Sequence, residues 1–104
     1  MTETLYTVKG PKTLEDMSWA EVDEALEVTD LVIVPVGSTE QHGPHLPLAA
    51  DTIQVVEMAK QAASRLSDNG VPMVVGPTIP FGVAPYHMPF PGTISLRSDT
   101  LKAL

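Results

Sequence analysis

Apolar and polar positions alternate along the chain in patterns that mark out its elements. Between residues 18 and 28, Trp19, Val22 and Leu26 recur at helical spacing among acidic residues, and Ser18 with Glu21 forms an S-x-x-E capping box. This predicts a helix from Ser18 to about residue 28, with those three apolar residues on its buried stripe. "LVIVPVG" (31–37) is an uninterrupted apolar run of strand length, the pattern of a central parallel strand covered on both faces. Pro35 has no N–H to give to a ladder, so it belongs at the strand's end or in an edge-like position.

From Thr52 to about Ser67, Val55, Ala59, Ala62 and Leu66 repeat at helical spacing, and Asp68-Asn69-Gly70 supplies a stop. "VPMVVGP" (71–77) reads as a second buried strand, and the proline- and glycine-dense stretch 78–96 as mostly loop. Strand, helix and strand in succession predict a right-handed crossover between parallel neighbours. A last helix opens at Ser98, too short to sustain itself. Two or three parallel strands also leave their faces and edges uncovered. The expected fold is therefore a single, incomplete α/β domain over residues 1–104. It is a partial three-layer α/β/α arrangement with a mainly parallel sheet, completed by another chain or by a missing C-terminal part.

Composition narrows the function classes. Apolar residues make up 43% of the chain and charged ones 18%, which favours a packed core over disorder. The chain has no cysteine, so disulfides, thiolate metal sites and thiol nucleophiles are excluded and any metal must use imidazole and carboxylate. The formal charge is −7, and Glu15, Asp16, Glu21, Asp23, Glu24, Glu27 and Asp30 crowd the front of the chain, read here as a solvated helix face. Nucleic acid is a poor partner for such a surface. The first ten residues lack the charged and apolar regions of a signal peptide, and no apolar run reaches the length of a membrane span. A cytoplasmic location without membrane attachment is expected.

The chemistry concentrates in "VGSTEQHGPHLPLAAD" (36–51), a loop leaving the carboxyl end of the first strand, where open α/β sheets bind ligands. Glu40, His42 and Asp51 together suit a borderline divalent ion such as Zn²⁺ or Mn²⁺, with carboxylates able to bridge two ions. Each residue has a plainer reading. Asp51 with Gln54 makes a D-x-x-Q start, as a helix N-cap would. His42, beside Gly43-Pro44, suits an exposed turn. Glu40 is costly behind a buried strand unless it is paired or carried by its loop into water. His45 is either an outer-shell brace or a surface residue, and is not taken as a ligand.

"PVGSTEQHGPHLPLAAD" (35–51) resembles the signature of the creatininase (creatinine amidohydrolase) family, and "PFGVAPYHMPFPGTISL" (80–96) is similar to that family's second landmark. The resemblance implies an α/β fold with a central, mainly parallel sheet and two divalent ions, Zn or Mn with Fe also admissible. It implies hydrolysis of a cyclic amide or other non-peptide C–N bond in a small substrate, through a hydroxide bridging the ions. By that resemblance Glu40 binds one ion, His42 the other, and Asp51 bridges them. The family's remaining ligands form a later H-x-E pair, yet no histidine or glutamate follows His87 here. A second polypeptide completing the fold and the metal site, in a higher oligomer, is therefore expected. His87 either faces substrate, as a catalytic-loop residue, or braces its loop, and Ala84 stands where the resemblance leads one to expect serine. The competing expectations are a non-catalytic structural or regulatory subunit of a creatininase-like complex, or a fragment of a longer protein.

Overall fold

The computed structural model describes residues 13–104. They belong to two compact units, one holding the described residues up to Val34 together with Glu57–Pro77, the other Pro35–Val56 with Thr78–Leu104.

In the first unit the Thr13 hydroxyl donates to the Asp16 carboxylate, and a 3-10 turn at Leu14–Asp16 leads to helix α1 (Trp19–Ala25). The predicted capping box is present: the Glu21 N–H donates to Ser18 Oγ at 3.2 Å, and the Ser18 N–H donates back to Glu21 Oε1 at 3.1 Å. The stripe expected to be buried is covered only at Val22, which is half-buried. Trp19 is 83% exposed and Leu26 is exposed too, while the buried residue of α1 is Ala25. Two turns of helix bring only a narrow face against the rest of the unit, and nothing among the described residues covers Trp19.

Strand β1 (Val32–Ile33) pairs in parallel with β2 (Val74–Val75), Val32 opposite Val74 and Ile33 opposite Val75. Thr29 aligns the entry to both strands. Its hydroxyl donates to the Pro72 carbonyl at 2.7 Å and accepts the Leu31 N–H at 3.0 Å. Between the strands in sequence runs α2 (Ala50–Asp68), giving the strand, helix, strand order expected of an α/β fold. The core of this unit is Val75 packed on Ala59 and Ala63 of α2, with Ile33 and Met73 alongside. Small residues on the helix let it lie close to the strand.

Two expectations need correction. Burial along 31–37 alternates: Pro35 and Gly37 are buried and Ile33 partly so, whereas Val32, Val34 and Val36 are about half exposed. The run is thus covered on one face, not two, because two paired strands carry a packed layer on only one side among the described residues. On α2, Ala63 is buried where Ala62 was expected, and Ala62 and Leu66 are exposed. A four-residue step from Ala59 keeps the stripe on the strand side; a three-residue step does not. Regular pairing ends at Ile33, ahead of Pro35, as its missing N–H requires.

The predicted stop of α2 is a Schellman motif. Gly70 has φ +85°, its N–H donates to the Ser67 carbonyl at 3.1 Å, and the Val71 N–H donates to the Leu66 carbonyl at 2.8 Å. Among the described residues no helix is long and apolar enough to cross a membrane.

In the second unit Val36 bridges Ile79 in parallel, beside the second landmark, and Gly82 bridges Ser95 in parallel within it. A last helix, α3 (Ser98–Ala103), starts at the predicted residue.

Candidate metal centre

All four residues singled out from the sequence, Glu40, His42, Asp51 and His87, lie in this second unit. The loop 38–49 is folded on itself by the Glu40 N–H, which donates to the Leu48 carbonyl at 3.2 Å, and by Gly43, whose φ of +86° suits a residue without a side chain. His42 Nδ1 lies 2.8 Å from the carbonyl oxygen of Glu40. A carbonyl only accepts, so Nδ1 carries the proton and Nε2 keeps its lone pair.

The Glu40 side chain turns toward the second landmark, with Oε2 3.4 Å from His87 Nε2. Its carboxylate is the more buried of the two, at 19% exposure against 40% for the His87 side chain. The other ring nitrogen of His87, Nδ1, lies 2.7 Å from Gln41 Nε2. Gln41 Oε1 accepts the Gly43 N–H at 2.9 Å, and the Gln41 N–H donates to the hydroxyl of buried Thr93 at 3.1 Å. The landmarks are stitched further by the Ile94 N–H donating to the Thr39 carbonyl at 2.9 Å and by the Thr39 hydroxyl donating to the Pro80 carbonyl at 2.8 Å.

Asp51 is not an N-cap. Helix α2 starts at Ala50, one residue earlier, which puts Asp51 in the first turn. Its partly buried carboxylate has no hydrogen-bond or ion-pair partner among the described residues. The neighbouring Thr52 hydroxyl is buried without a partner, as is that of Ser38. His45 is exposed, with its ring against Gly43, and makes no hydrogen bond among the described residues. Ala84 is buried, and its N–H donates to Ser95 Oγ at 2.8 Å.

Among the described residues, no three histidine or acidic side chains gather closely enough to hold a metal ion. What the fold brings together is Glu40, Gln41 and His87, with the half-buried His42 held to the Glu40 carbonyl beside them. Sequence reasoning passed over Gln41 and Thr93. The available signal was the placing of Gln41 between two candidate ligands, where an amide can donate and accept at once.

Comparisons with known proteins bear on the family of the chain as a whole. The family model described as "Creatininase: Creatinine amidohydrolase" matches residues 15–104. The chain is 38% identical, over 70% of its own length and 31% of the relative's, to a mycofactocin precursor peptide peptidase of Mycobacterium tuberculosis. It is 29% identical to the creatinine amidohydrolase of Pseudomonas putida, over 83% of this chain and 34% of that protein. Among solved structures, a manganese creatininase superposes with a TM-score of 0.74 at 27% identity, covering 89% of this chain and 36% of that one. The chain thus spans about a third of the length of the curated relatives it matches. With both landmarks in order, an α/β fold that superposes on creatininase and a family match over nearly all its residues, the chain belongs to the creatininase family.

Proposed function

We propose that this chain supplies part of the metal site of a divalent-metal-dependent amidohydrolase and acts with a second polypeptide that brings the remaining ligands. The observation that carries the reading is the orientation of His42. With Nδ1–H committed to the Glu40 carbonyl, the ring is held in the tautomer that presents Nε2 as a ligand. Asp51 supports it, because its carboxylate has no partner among the described residues and so is available to a cation. Glu40 would hold one ion, His42 the other, and Asp51 both. Imidazole and carboxylate donors suit zinc or manganese, with iron also admissible. Bound there, the ions would polarise the scissile carbonyl and lower the pKa of the attacking water.

The substrate class is a small amide, cyclic or otherwise non-peptide. A peptide-bond substrate is the second reading, favoured by 38% identity to the relative named a peptidase against 29% to the creatinine amidohydrolase. A reducing, cytoplasmic setting and a higher oligomer fit a chain without cysteine that matches part of a longer fold.

Native mass spectrometry of the intact assembly, read together with its zinc and manganese content and its hydrolysis of creatinine and of a peptide amide, tests the proposal. A second polypeptide, stoichiometric metal and hydrolysis abolished by Glu40→Ala are expected. A metal-free assembly that hydrolyses amides equally well with Glu40→Ala would make this chain a scaffold and overturn the reading.

A further inference from the structure

We infer that Gln41 is a positioning residue: it fixes the tautomer of His87, so that His87 Nε2–H faces one oxygen of the Glu40 carboxylate and leaves the other free. The first half stands on hydrogen-bond polarity alone. The second, that the free oxygen serves a cation, deepens the metal-site reading and rests on it.

The amide orientation is determined by Gly43. A backbone N–H cannot accept, so the atom 2.9 Å from it must be the Gln41 oxygen, which puts the Gln41 NH₂ 2.7 Å from His87 Nδ1. An amide NH₂ only donates, so Nδ1 must be the acceptor. A neutral imidazole that accepts at Nδ1 carries its proton on Nε2, the nitrogen 3.4 Å from Glu40 Oε2. The Nε2–H then faces the Glu40 carboxylate, within ion-pair range and longer than an ordinary hydrogen bond. Gln41 itself is pinned by its N–H on Thr93 Oγ1, so its side chain starts from a defined point. Nδ1 is thus engaged by Gln41, and Nε2 is turned toward Glu40. Outer-shell partners of this kind orient ligating carboxylates and fix how many oxygens they offer.

Gln41→Glu isolates the effect. A carboxylate of the same shape still accepts the Gly43 N–H, but it can no longer donate to Nδ1 and instead calls for a proton there. Long-range ¹H–¹⁵N correlation spectra of the histidine rings, recorded at mildly alkaline pH with His42→Gln and His45→Gln used for assignment, read the tautomer directly. The expected result is Nε2–H for His87 in the wild-type chain and a proton on Nδ1 in Gln41→Glu. A wild-type His87 protonated on Nδ1, or a Gln41→Glu chain whose His87 is unchanged, overturns the proposal; the wild-type spectrum decides even where the variant does not fold. Titration with Zn²⁺ on the same samples separates the two readings. A tautomer change with affinity lowered about 10–100-fold supports both. The same change with unaltered Zn²⁺ affinity keeps the Gln41 device and removes Glu40 from the metal site.

Discussion

His42 Nδ1 donates to the carbonyl oxygen of Glu40, two residues earlier, across 2.8 Å. The bond closes the E-Q-H tripeptide into a small ring, and within it the two flanking side chains have different partners. Glu40 is aimed at the second landmark, whereas the His42 ring is held by Nδ1 and keeps Nε2 uncommitted among the described residues.

His42→Ala is therefore expected to lower Zn²⁺ affinity by more than about 100-fold, beyond the loss typical of an outer-shell partner. The fold should lose only about 1 kcal/mol, that of one hydrogen bond. Competition with a chromophoric chelator measures the first and urea unfolding the second. Equal metal affinity in the two proteins would take His42 out of the ligand set.

Gly37 is required by the close approach of α2. A Cβ placed there would lie 2.5 Å from Thr52 Oγ1 and 2.8 Å from Thr52 Cα. The hydroxyl can rotate away but the helix backbone cannot, so Gly37→Ala should destabilise by about 1–3 kcal/mol, the usual cost of overpacking. Because Asp51 precedes Thr52, metal affinity should fall with it. An unchanged urea midpoint would show that the strand segment and the first turn of α2 separate freely.

What the sequence revealed and what it hid follow from the range of each signal. The capping box at Ser18 and the Schellman stop at Gly70 were legible because they are set by residues three or four apart and by the one amino acid that tolerates positive φ. The parallel pairing of β1 and β2 followed from two apolar runs separated by a helix. Burial was less legible, since Trp19, Leu26, Val32, Val34 and Val36 carry the apolar pattern of covered residues whether or not anything covers them. In the site, the family landmarks picked out Glu40, His42, Asp51 and His87, but not the amide that links two of them. Gln41 has no periodicity and no charge, and its role appears only when residues 46 positions apart are brought to hydrogen-bond distance.

Thr52 also supports a prediction of opposite sign. Its hydroxyl is buried with no partner among the described residues, and an unsatisfied group of this kind costs about 1–3 kcal/mol. Thr52→Val keeps the branched shape and removes the polar atom, so it should leave stability unchanged or raise it by about 1 kcal/mol. A loss of stability in urea unfolding would mean that the hydroxyl has a partner in solution.

The start of α3 carries the acid-sensitive contact. Arg97 donates to both oxygens of Asp99, Nη2 at 2.8 Å and Nε at 3.2 Å, and the Thr100 N–H adds a bond at 3.0 Å. The guanidinium beside it, with the Thr100 N–H assisting, holds the Asp99 carboxyl below the ordinary carboxylate range. The unfolded chain keeps the usual value of about 3.9. The stabilisation is accordingly complete above that value and is lost as the pH falls through the lower, folded one. The pair is exposed, so salt screens it. A carbon-detected titration of Asp99 should show a midpoint below the usual value, rising toward it in Arg97→Gln and, by a smaller amount, on adding salt to the unsubstituted chain. A midpoint that stays low in Arg97→Gln would transfer the effect to the Thr100 N–H.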